Sequence, residues 1–64
     1  MTADEFRAAL KELRMSQLAW ATRFGLSPGA VNRWAKGTRP VPPWVAEVIR
    51  MLQERRELSR RLAG

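Results

Sequence analysis

Sixty-four residues with neither Cys nor His exclude a disulfide framework and the usual zinc sites, so a core must come from packing alone. The chain sits near the lower size limit for an unstapled domain, and its three Trp and two Phe supply large buried area for that length. A formal charge of +6, from 12 basic against 6 acidic residues, favours a polyanionic partner such as nucleic acid or an anionic membrane surface.

In chain order, Thr2-Ala3-Asp4-Glu5 has the form of a capping box. Phe6, Ala9, Leu10 and Leu13 follow at helical spacing, predicting a first helix over about Ala3–Arg14. Ser16 is a second N-cap candidate, with Met15 and Trp20 placed as a hydrophobic staple. The second helix, about Gln17–Phe24, is expected to bury Trp20, Ala21 and Phe24 and to stop at Gly25, which suits a left-handed helix end. Ser27 is a third cap candidate, and Pro28 takes the first helical position, where a missing N–H costs nothing. Leu26 and Val31 again stand in staple register, and Val31 and Trp34 turn inward from a third helix ending near Lys36-Gly37. Thr38–Pro42 reads as a loop. Pro42-Pro43 then fix the start of a fourth helix, expected to bury Trp44, Val45, Val48, Ile49 and Leu52 and to continue to about Leu62.

All three tryptophans are thereby assigned to the core rather than to base stacking. The expectation is one all-α domain over residues 1–64, a compact bundle of four to five short helices. Its core covers about residues 3–53, and 54–64 form a charged helical tail. The longest apolar run, Leu18–Ala21, is too short for a bilayer span or a signal-peptide core, so a cytoplasmic protein is expected.

Charge is distributed unevenly. Between Leu13 and Ala46 there is no acidic residue, while Arg14, Arg23, Arg33, Lys36 and Arg39 all fall inside. This window coincides with Ser16–Arg39, which reads as two short helices joined by a tight turn. So short a turn forces a steep crossing and leaves the third helix projecting, as the major groove of duplex DNA requires. With Val31 and Trp34 anchoring that helix from behind, Ser27, Pro28, Gly29, Asn32 and Arg33 become the candidates for contact with bases. Arg33 leads, because its fork matches O6 and N7 of guanine, and Asn32 is suited either to adenine or to a phosphate. Gln17 lies at the first turn of the second helix, where free N–H groups attract a phosphate. Lys36, Thr38 and Arg39 follow the third helix as clamps on the sugar–phosphate backbone, setting register and affinity rather than sequence. Arg14 and Arg23 receive no assignment.

Ser16–Pro42 resembles the helix-turn-helix of the Cro/CI-type (phage repressor-like, XRE-type) regulators. The matching positions are Ser16-Gln17, Ala21, Gly25, Leu26-Ser27, Val31, Trp34 and Gly37. The likeness extends through Pro40-Val41-Pro42-Pro43 and the fourth helix, covering about Phe6–Leu52. It implies a lambda repressor-like fold in which the third helix reads bases. Ser16, Gln17 and the loop after the third helix would hold phosphates. It also implies a homodimeric transcriptional regulator on palindromic double-stranded DNA. The setting would be bacterial or phage-encoded and nucleoid-associated, of the kind found in mobile-element control and beside anti-CRISPR genes. Two positions depart from the pattern. Pro28 and Gly29 stand where long polar side chains are common, and Leu18 stands at a commonly polar site.

Leu52, Leu58 and Leu62 are spaced for one apolar seam and are the candidate dimer contacts. An enzyme is disfavoured, because the chain has no His, Cys or Tyr, no converging carboxylates and no phosphate-cradling glycine loop. No metal, cofactor or small-molecule ligand is indicated. An A-form RNA groove is too narrow for the third helix, and a membrane-surface helix would account for the tail alone. The alternative is a protein-interaction module or antitoxin on the same scaffold. The expected function is a small repressor, autoregulation included, since occluding a promoter needs no further segment.

Overall fold

The computed structural model describes residues 1–63 as four helices: α1 (Ala3–Glu12), α2 (Gln17–Phe24), α3 (Pro28–Lys36) and α4 (Pro43–Ala63). No strand occurs among the described residues. Three of the four elements are short, but α4 has 21 residues.

Local chemistry sets most of these boundaries. At the start of α1 the Glu5 N–H donates to the Thr2 hydroxyl (3.1 Å) and the Thr2 N–H donates to the Glu5 carboxylate (2.8 Å), completing the capping box. The backbone donor of Thr2, then its side chain, holds the Glu5 carboxyl below its usual 4.5. The first helix stops at Glu12, earlier than expected, because Arg14 adopts φ +56 and turns the chain into α2. The Ser16 hydroxyl accepts from the Ala19 N–H at 3.0 Å, and α2 ends at left-handed Gly25 (φ 65). Ser27 departs from expectation: it precedes α3, yet its side chain makes no capping bond.

The core is built of hydrophobic residues, and the Trp20 indole N–H buried within it has no hydrogen-bond partner among the described residues. It combines Phe6, Ala9 and Leu10 of α1, Trp20 and Ala21 of α2, Val31, Trp34 and Ala35 of α3, and Val45 and Ile49 of α4. Phe6 meets Trp20 (centroids 6.4 Å, 88°) and Trp34 (6.0 Å, 82°) at near right angles, a favoured aromatic geometry. Phe24 is only partly buried, stacked at a tilt 4.4 Å from Trp20.

Two expectations for α4 are corrected. Trp44 is 46% exposed rather than buried. Val45 and Ile49 occupy the inward stripe, and one residue earlier lies about 100° round the helix. Leu52, Leu58 and Leu62 do not share a seam. Leu52 packs against the core while Leu58 and Leu62 are 57% and 80% exposed, because six residues turn a helix by about 240°. Packed chiefly on α1, α4 gives the molecule its long dimension, 39 Å against 21 and 18 Å.

Phe6→Ala is expected to cost about 3–5 kcal/mol, on the order of the whole stability of so small a domain. Far-UV circular dichroism of that variant at 25 °C should show an unfolded chain. The Glu5 carboxyl titrates lower in the folded state, so its stabilisation is complete above about pH 4.5 and is lost as pH falls through the folded value. The difference in Tm between the wild type and Glu5→Ala should therefore close on acidification below 4.5.

Candidate nucleic-acid interface

α3 packs against both α1 and α2, with Val31, Trp34 and Ala35 turned into the core. Its link to α2 is only Gly25-Leu26-Ser27, closed by a hydrogen bond from the Leu26 N–H to the Ala21 carbonyl at 2.8 Å. Ala21, 1% exposed, is small where the helices approach. The outer side of α3 then presents Ser27, Pro28, Gly29, Arg33 and Lys36 to solvent.

Asn32 is placed differently from the other candidates. It is half-buried, and its Nδ2 donates to Gln17 Oε1 at 3.1 Å. This bond braces the start of α2 against the middle of α3 and orients both amides. Asn32 keeps its carbonyl oxygen and one amide hydrogen, and Gln17 keeps its amide donors. Ser16, immediately before Gln17, accepts from Ala19 through its hydroxyl oxygen and retains a hydrogen to donate.

At the other end of α3, Gly37 (φ 81) turns the chain back on the helix. The Arg33 carbonyl accepts from the Thr38 N–H (3.1 Å), the Arg39 N–H (3.4 Å) and the Thr38 hydroxyl (3.3 Å). That wrap draws Arg39 beside Arg33, and both line a shallow cleft of about 340 Å³ with Ala30, Trp34, Pro40 and Pro42. A further strut was not readable from local sequence: the Arg7 guanidinium donates to the Ala35 carbonyl and pairs with Asp4. It ties the last turn of α3 to α1.

The charge pattern of this face is one-sided. The ion pairs among the described residues are Asp4–Arg7, Glu47–Arg50, Glu57–Arg60 and Glu57–Arg61, all within α1 or α4. None involves Arg14, Arg23, Arg33, Lys36 or Arg39. Arg33, Lys36 and Arg39 are exposed and lie close together in sequence around the end of α3. Arg23 is turned over the Phe24 ring at 5.9 Å.

The structure thus gathers Gln17 with Asn32, and Arg33 with Thr38 and Arg39. It separates Leu58 and Leu62 from Leu52. Among the described residues no group of His, Cys, Asp or Glu is arranged to hold a metal ion, and no helix is long and apolar enough to cross a membrane. No protein-family model matches the chain, and no curated protein or solved structure shows significant similarity to it.

Gly29 has no structural reason to be glycine. An added Cβ would meet only the Ser27 Oγ at 3.5 Å, an ordinary contact, and its backbone is not left-handed. Gly29→Ala should stabilise the fold by up to about 1 kcal/mol. A thermal melt should register it as a rise in Tm of a few degrees, about 4–8 °C per kcal/mol at this size.

Proposed function

We propose that this chain is a sequence-specific duplex-DNA-binding regulator of transcription. In this reading α2 and α3 form a helix-turn-helix of the Cro/CI kind, and the protein acts as a small cytoplasmic repressor in pairs on an inverted-repeat operator. The observation that carries it is the exposed group of Arg33 and Lys36 on α3 and Arg39 just after it, none with an acidic partner among the described residues, around a helix whose opposite face is locked into the core. An acid-free, unneutralised surface of this kind attracts a phosphate backbone.

The residues divide by reach. Arg33 projects from the middle of α3 and reads guanine through its two-pronged guanidinium. Asn32, oriented by Gln17, offers its remaining donor and acceptor to adenine. Ser27, with an uncommitted hydroxyl, and the low-profile Pro28 and Gly29 let the start of α3 approach base edges closely. Ser16 and Gln17 hold one phosphate at the start of α2, where unsatisfied N–H groups converge. Lys36, Thr38 and Arg39 clamp the strand after α3. A protein so bound blocks polymerase by occupying the promoter.

Selection from a random duplex pool, followed by sequencing of the bound fraction, tests the reading. An enriched inverted repeat with half-site centres about one helical turn apart supports it. Binding without enrichment, or none, overturns it. On the selected site Arg33→Ala should cost about 1–3 kcal/mol and relax preference at one base pair. Arg39→Ala should weaken all duplexes alike and lower the slope of log K against log salt by about one.

A further inference from the structure

The large hydrophobic side chains exposed among the described residues are Met1, Leu18, Trp44, Met51, Leu58 and Leu62. Four of the six lie on α4, and their spacing puts them on one side of it. Trp44, Met51 and Leu58 are seven residues apart, and Leu62 follows four later. With Val48 and Arg55 between them they complete a stripe of alternating four- and three-residue steps: Trp44, Val48, Met51, Arg55, Leu58, Leu62. That spacing is the one by which two helices pair along their length. Its exposed members are distinct from the core-facing positions Val45, Ile49 and Leu52, while Val48 stands on the border, half-buried and also packed against the core. The stripe shares no residue with the proposed DNA-facing set.

We propose that this outer face of α4 pairs with the same face of a second copy of the chain, the two helices running antiparallel. The inference extends the dimer part of the function proposed above, and it names a surface other than a Leu52–Leu58–Leu62 seam. The stripe is self-complementary in that direction. Trp44 meets Leu62 of the second copy, Val48 meets its Leu58, and Met51 lies against the aliphatic stem of its Arg55. In parallel register the two Arg55 side chains would face each other within the seam, a like-charge contact.

Charge along the flank agrees. Glu47, Glu54 and Arg61 are seven residues apart on one edge of the stripe. The antiparallel arrangement sets Glu47 against Arg61 of the second copy at both ends. The two Glu54 approach each other near the axis, beside both Arg55 guanidinium groups. The existing neighbours of these groups, Arg50 on Glu47 (3.3 Å) and Glu57 on Arg61 (3.4 Å), are exposed pairs, which hold little energy and leave both free to serve a second partner. Residues 57–63 are all exposed, and a helical end of that length gains little from its own hydrogen bonds. A second copy supplies the packing that the chain itself does not.

The test uses the full chain without DNA. Sedimentation equilibrium over about 1 µM to 1 mM, the range in which moderate affinities are read, should show a monomer–dimer equilibrium. Met51→Glu combined with Leu58→Glu alters two side chains already exposed in the monomer. It should raise the dissociation constant at least about tenfold with unchanged helical circular dichroism. Glu47→Arg and Arg61→Glu should each weaken the dimer, and the double variant should recover it. A chain monomeric throughout, or a dimer indifferent to Met51 and Leu58, overturns the proposal. A double charge variant no stronger than the singles overturns the antiparallel order. Dimerisation without an enriched operator would sink the DNA reading alone, and operator binding by a monomer would sink this inference and the pairing it extends while leaving sequence-specific DNA binding in place.

Discussion

Phe6 is completely enclosed, and its ring stands at near right angles to Trp20 of α2 and to Trp34 of α3. One side chain on α1 thus abuts the main core aromatic of each of the two helices that form the candidate interface. Each such pair contributes on the order of 0.5–1.5 kcal/mol beyond the area it buries, and the geometric effect is larger than that energy suggests. With no disulfide and, among the described residues, no buried polar residue, and with the buried Trp20 indole N–H itself unpaired, the angle between α2 and α3 depends on how the two indoles seat against Phe6. Val31 and Ala35 complete the attachment of α3 from the same side.

That arrangement separates two duties along one helix. The inner face of α3 holds the core, so its outer face carries no load for stability. Gly29 is a direct sign of this freedom, since the fold has space for a side chain there. Polar struts fix the helix at its middle and at its last turn: Asn32 on Gln17, and Arg7 on the Ala35 carbonyl. The carboxylates that form ion pairs are held on α1 and α4 by arginines three or four residues away. None of them reaches the basic cluster after α3.

Much of this was legible in the sequence because its causes are local. The Thr2–Glu5 capping box, the Ser16 cap and the stops at Gly25 and Gly37 each depend on a few adjacent residues, and all occur as read. The inward positions Phe6, Trp20, Val31 and Trp34 followed from helical period. The misreadings have physical causes as well. Helical spacing from Val48 admits Trp44 to the inward stripe, but Val45 and Ile49 set the phase of α4 and turn it outward. The spacing of Leu52, Leu58 and Leu62 reads as one seam, although the six positions from Leu52 to Leu58 carry a helix to another face. Arg7 with Ala35 and Gln17 with Asn32 are 28 and 15 residues apart, and no local rule pairs them. An amide pair would be the nearest signal, once α2 and α3 are known to cross.

The three indoles occupy three different environments: Trp20 is fully enclosed, Trp34 is 8% exposed and Trp44 is 46% exposed. The chain therefore carries its own optical labels. In the folded protein an aqueous quencher reaches Trp44 far more readily than Trp20, so the accessible part of the emission reports on the outer face of α4. The shielded part becomes quenchable only when the core around Phe6 opens. Loosening of the core and covering of the long helix would move the same fluorescence in opposite directions. The two events are thus separable in the native sequence without attaching a dye.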